Sequence, residues 1–470
     1  MIMKLKRTAF LKFVLLASAI LLTTFITDVI NPMRDTLIVK VASSGGAQVI
    51  AITRLLTGLP SALFVMQVIN KWKRKYSIIK IQTNVSIFFF ICFFSFAVLF
   101  PYSLHLQPSI ETVICWQASS SKIWYWFIAM VANWFFVVFY VIGSVWTLIN
   151  LSIIFWHVAC VVTTKKESIN FFAPLSLIGA VGGVLAGILS NSLRPDNSIG
   201  YNRWVSYQLF VVCSAIIILV VIYRFLISKE NIVGDVNENK LSTVDSIVSI
   251  YKNKLAFNIL SITLCYYMTA ALIELIWKER FRQIYLDPTD YIVVNSTVTI
   301  FTSIFFVLFS IVSFYTIKFK PWIVTAVITP VLMIFTGLIF LVGSTYTSHF
   351  ALDLQKILFC FGSASVIFGV ASKHSTFNTS KNFAYKCLPI EEQISTRITI
   401  ESLGSRGGEL LASLIPVLLT NFLFPSSLMT ESNIVSIASV LVALYFIIWM
   451  VSLTNIKNRI KFFENEGANK

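Results

Sequence analysis

Apolar residues along this chain come in blocks of about twenty, each closed by a short polar loop, and the blocks repeat from one end to the other. Such a block matches the hydrocarbon core of a bilayer, about 30 Å thick, where a helix satisfies its own backbone polar groups. Twelve spans are expected, near residues 10–30, 48–70, 82–103, 134–162, 170–192 and 205–227, then 255–277, 292–315, 321–343, 353–376, 402–424 and 434–456. The longest polar interruption, about 228–254, carries Lys229, Glu230, Asp235, Asn237, Glu238 and Lys240 and lies almost halfway along. It reads as a cytoplasmic linker between a six-helix half at 1–227 and a second at 255–456, with a tail at 457–470.

Composition leaves little room for a soluble class. Hydrophobic residues make up 57% and charged residues 12%, and mean hydropathy is +0.81. Basic residues alternate between loops: Lys4, Lys6 and Arg7, then Lys71 to Lys75, Lys165 and Lys166, Lys318 and Lys320, and Lys457, Arg459 and Lys461 fall on one side. By the positive-inside rule that side, with both termini, is expected to be cytoplasmic. These loops account for the net charge of +16, so no nucleic-acid partner is implied. The basic and apolar start reads as an uncleaved first helix. Seven scattered cysteines show neither CxxC nor metal spacing, and no ATP-hydrolysis loop, HExxH or GxSxG is present. The expectation is a transporter rather than an enzyme, with no metal and no cofactor; His157 reads as a packed residue.

Ionisable residues at membrane depth are costly and point to function. Asp28, Arg34 and Asp35 end the first span and Arg54 begins the second, while Glu274, Lys278, Glu279, Arg280 and Arg282 end the seventh. Charge at equivalent places in two halves suggests pseudo-symmetric repeats around a shared cavity, hence an all-α integral membrane protein with twelve transmembrane helices in a 6+6 major-facilitator-like arrangement. A third cluster runs from Lys373 through Lys381, Lys386, Glu391, Glu392, Arg397 and Glu401 to Arg406, with Glu409 just beyond. A cavity rich in Arg and Lys calls for an anionic substrate, since guanidinium forks and ammonium point charges suit phosphate oxygens. Gly179, Gly183 and Gly187 give the fifth span a flat face for close helix packing.

The stretches NPMRDTLIVK at 31–40, NWFFVVFYVIGSVW at 133–146 with IIFW at 153–156, ALIELIWK at 271–278 and SKHSTFNTSKNFAY at 372–385 resemble, in order and spacing, the ATP/ADP translocase family of plastids and obligate intracellular bacteria. The resemblance spans about residues 30 to 425. It implies nucleotide transport, often of ATP against ADP and phosphate, in the cytoplasmic membrane of an intracellular bacterium. Arg34 and Arg54 stand where the family usually has lysines; Glu274, Lys278 and Lys381 match its motifs. Arg34, Arg54, Glu274, Lys278, Lys381 and Arg406 are therefore expected at the substrate, with Asp28, Glu274 and Glu401 as candidate coupling carboxylates. The chain departs from the pattern at Gly143 and Ser144, where an acidic residue is common, and at Ser405 with Arg406, Asn382, Lys386, Cys387 and Pro389. Exchange of ATP for ADP or another nucleotide is expected. Proton-coupled import of GTP, UTP or ATP, or NAD/ADP exchange, is the alternative. The expected partners are nucleotide and lipid bilayer, with the chain acting as a monomer.

Overall fold

The computed structural model describes residues 2–41, 46–73, 78–121, 124–163, 165–192, 201–228, 243–285, 287–346, 352–388, 396, 399–423 and 431–468. Nearly all of these are helical. Ten helical stretches among them are long and apolar enough to cross a membrane, which makes this a multi-pass membrane protein. The expected spans at 48–70 and 402–424 are helical too, but neither reaches that apolar length among the described residues. They are the ones that carry Arg54, and Arg406 with Glu409.

The first helix, α1, runs Ile2–Thr36 and ends in a π-helical turn at Leu37–Val41, so Asp28, Arg34 and Asp35 lie within helical structure. Helix α2 (Ala47–Lys73) follows, then α3 (Ile78–Leu99). Two short helices, α4 (Ile110–Ser119) and α5 (Tyr125–Ala132), precede α6 (Trp134–Trp146), which passes through a π-helical stretch at Thr147–Ile154 into α7 (Phe155–Val162). Helices α8 (Lys165–Ser192) and α9 (Tyr201–Ser228) complete this set. Most of the expected linker lies outside the described residues; α10 (Thr243–Lys252) occupies its end.

Asn253 starts α11 (Lys254–Ile284), its side chain accepting from the backbone N–H groups of Leu255 and Ala256. The helix continues about two turns past the expected exit near 277, and Lys278 and Glu279 are buried. Helices α12 (Pro288–Phe319), α13 (Trp322–Thr345) and α14 (Leu352–Ser372) follow. A π-helical turn at Lys373–Phe377 joins α14 to α15 (Asn378–Lys386), and another at Ile400–Gly404 leads into α16 (Ser405–Leu418). The last helix, α17 (Ser432–Ala468), carries the expected tail as helix. Glu391, Glu392 and Arg397 lie outside the described residues, as do the side chains of His157 and Lys386.

The two sets meet along two seams, α8 against α12 and α2 against α16. The glycine stripe makes the first seam possible. A methyl group on Gly179 would press on Ile20 of α1, one on Gly187 on Ile300 of α12, and one on Gly183 would meet both Asp28 of α1 and Ser303 of α12. Phenylalanine holds the rest of the first set: Phe89 and Phe93 of α3 pack edge-on to Trp146 of α6, and Phe96 and Phe100 pack on Phe135 and Phe139. Large apolar side chains such as Phe88, Ile91, Ile311 and Phe314 point outward, the side that lipid would cover.

Candidate substrate-binding site

The aromatic packing of α6 fixes what faces α1. Trp146 donates its indole N–H to Thr27 at 3.1 Å, locking the register, and two turns earlier Tyr140 lies beneath Arg34, whose guanidinium carbon is 4.9 Å from the ring centre. Arg34 also donates to the Ser144 hydroxyl at 3.0 Å. One of the departures from the family pattern thus stands directly against the cation of the first motif. A neutral hydroxyl occupies the position where a carboxylate would neutralise Arg34, and the guanidinium retains only a 3.6 Å contact with Asp35.

On the facing side, Trp277 donates to Ser363 at 3.0 Å and packs on Phe359, holding the end of α11 so that Glu274 and Lys278, one turn apart, both face the first set. Among the described residues two ion pairs cross between the sets. Arg54 of α2 meets Glu274 at 3.2 Å, and Lys278, 2% exposed, meets Asp35 of α1 at 2.7 Å while also pairing with Glu274. Arg54 further donates to the Tyr140 hydroxyl at 3.0 Å. Fully buried Glu279 accepts from the backbone N–H of Ala47 at 3.1 Å, capping the start of α2 from the other set, and pairs with Arg282. Even so the site keeps spare donors: Nη1 of Arg54 and Nε of Arg34 are buried without a hydrogen-bond partner among the described residues.

Arg34, Arg54, Glu274 and Lys278 therefore form one cluster, joined by Asp35 and Tyr140. Arg406 pairs instead with Glu409 at 2.9 Å, and Glu409 is also within electrostatic reach of Arg54 and Lys373. Lys381 is bound to Glu401 at 2.7 Å, and the Tyr385 hydroxyl donates to the same carboxylate at 3.4 Å. Asp28 stands apart on the α8–α12 seam and has no cation among the described residues, whereas Glu274 holds two, Arg54 and Lys278, and Glu401 holds Lys381. Tyr140, Ser144 and the cap made by Glu279 were not among the residues expected at the site. Only the charge of Glu279 was visible in the sequence. No group of His, Cys, Asp and Glu suited to a metal ion occurs among the described residues.

A buried, mostly paired cluster of cations with leftover N–H donors is suited to a multivalent anion, and nothing in it forms a nucleophile and base pair. The sequence profile described as TLC ATP/ADP transporter matches residues 1–460. ADP,ATP carrier protein 4 of Rickettsia conorii is 24% identical, with 97% of this chain and 94% of that protein covered. Its counterpart in Rickettsia typhi is 25% identical over the same shares. Among solved structures, a D-xylose-proton symporter superposes with a TM-score of 0.57 at 13% identity, covering 93% of this chain and 97% of that one. A bacterial homologue of the iron transporter ferroportin in an inward-facing state gives 0.55 at 16%, covering 95% and 98%. At such identities these structures speak for the fold alone, a major-facilitator arrangement.

Proposed function

From the premise that the chain belongs to the TLC ATP/ADP transporter family, we propose that it is a secondary-active nucleotide transporter working by alternating access, exchanging ATP for ADP or a related nucleotide. The observation that supports this reading best is the pair of ionic contacts between the two helix sets, Asp35 with Lys278 and Arg54 with Glu274. A polyphosphate offers the cations a competing partner. Phosphate oxygens that take over Arg54 and Lys278 release Glu274 and Asp35, so binding substrate weakens the contacts holding the sets together at this end. Without substrate the contacts reform, and a carrier that stays closed when empty exchanges rather than leaks. Arg34, with a spare Nε and a neutral partner in Ser144, takes a phosphate without first giving up a short ion pair. Arg406 joins from the second set. The setting we propose is the cytoplasmic membrane, with both termini in the cytoplasm and the monomer as the working unit.

The test is uptake of labelled ATP into proteoliposomes with and without internal ADP, in competition with GTP, UTP, CTP and NAD. Uptake that requires internal nucleotide supports exchange, and failure of every nucleotide to compete rejects the reading. Asp28 favours a second version, since a carboxylate without a cation at a seam between moving helices is placed to carry a proton. In that version a pH gradient alone drives net import and Asp28→Asn abolishes the effect of the gradient; uptake indifferent to the gradient excludes it.

A further inference from the structure

Each of the cations Arg54, Lys278, Lys381 and Arg406 has a carboxylate within 3.2 Å. Lys373 does not. It makes no ion pair or hydrogen bond among the described residues, and its ammonium lies over the rings of Tyr267 at 4.7 Å and Tyr266 at 5.7 Å. The seat is well fixed: Tyr266 donates to the Gly369 carbonyl at 3.2 Å and stacks on Phe377, and a methyl group on Gly408 of α16 would strike Tyr267. The π-helical turn that begins at Lys373 places the lysine at a local widening of the helix, a feature frequent at functional sites. Tyr267, Glu274 and Lys278 lie seven and four residues apart on α11 and so share one face, which puts the seat of Lys373 about 10 Å along the axis from Glu274.

The arrangement has a counterpart in the first set. There the cation is Arg34 on the first span and the ring is Tyr140 on the fourth; here the ring is Tyr267 on the seventh and the cation Lys373 on the tenth. Equivalent helices present a cation on a tyrosine from each side, with the roles exchanged. Cation–π contact, even with Glu409 within electrostatic reach, offsets only part of the cost of a charge at membrane depth that has no direct ion pair. We propose that Lys373, seated on Tyr267, is a phosphate-binding residue of the second helix set, opposing Arg34, so that a nucleotide's polyphosphate is held between the two. This rests on the nucleotide reading above. Because Lys373 has no carboxylate at ion-pair distance among the described residues, Glu409 acting on it only from farther off, it receives the anion before the ion pairs at Glu274 and Asp35 are broken, and it makes affinity depend on phosphate number.

The full-length protein in nanodiscs is titrated with ATP, ADP and AMP. Lys373→Gln is expected to weaken ATP binding by about tenfold or more and AMP far less, with Lys373→Arg close to wild type. Tyr267→Leu, which keeps the charge and removes its seat, is expected to shift ATP in the same direction by a smaller factor and serves in place of Lys373→Gln if that variant does not fold. Wild-type affinity for ATP in Lys373→Gln, or an equal loss for all three nucleotides, overturns the assignment. Wild-type protein that binds none of them overturns instead the nucleotide reading beneath it.

Discussion

Replacing Asp35 with asparagine tests the proposed lock between the two helix sets at its shortest cross-set contact. Lys278 Nζ lies 2.7 Å from Asp35 Oδ2, and both side chains are buried. An asparagine keeps the shape and still accepts a hydrogen bond, so the change removes charge alone. A hydrogen bond to a charged group contributes about 1.5–3 kcal/mol; the ammonium of Lys278 keeps its charge, so only the carboxylate's share is lost and the closed seam weakens by roughly 1–2 kcal/mol. Lys278 retains Glu274, which keeps the loss below the larger penalty of a stranded buried charge. Since 1.4 kcal/mol is tenfold, the population of carriers open at this end without substrate is expected to rise about five- to thirtyfold. The assay is efflux of preloaded labelled nucleotide from proteoliposomes facing nucleotide-free buffer, which should rise by a comparable factor while exchange continues. In a Lys278→Gln background the same substitution should add almost nothing, because the partner is already neutral. Unchanged efflux in Asp35→Asn with normal exchange would refute the lock.

Three further outcomes follow from the same geometry. Glu279→Ala removes both the cap on the start of α2 and an ion pair with the part-exposed Arg282, a loss of about 1–3 kcal/mol, and should lower the thermal midpoint by a few degrees, with Glu279→Gln in between. Gly183→Ala puts a methyl group 2.6 Å from Asp28 Oδ2 and against the Ser303 hydroxyl; overpacking of this kind costs about 1–3 kcal/mol, so the melting temperature should fall and partly recover with Ser303→Ala. Tyr140→Phe deletes the hydroxyl that orients Arg54 but keeps the ring under Arg34, and ATP affinity in titrations should drop about tenfold with folding intact.

The sequence by itself determined the class of this protein and most of its helices. A run of twenty apolar residues has one way to satisfy its backbone in lipid, so the spans near 82–103, 205–227 and 321–343 were legible from local composition alone. The same rule misjudged ends: charge at 278–282 signalled an exit, yet α11 continues because Lys278 and Glu279 find partners on α1 and α2, more than two hundred residues away. Ionisable residues at depth marked Arg34, Arg54, Glu274 and Lys278 as notable, and tertiary packing placed those four together while pairing Lys381 with Glu401. No local pattern separates a cation with a carboxylate from one without, which is why Lys373 looked like part of a loop cluster and Ser144 only like a missing acid. Burial in lipid is a property of each segment, whereas the pairing of a charge depends on which distant helix the fold brings beside it.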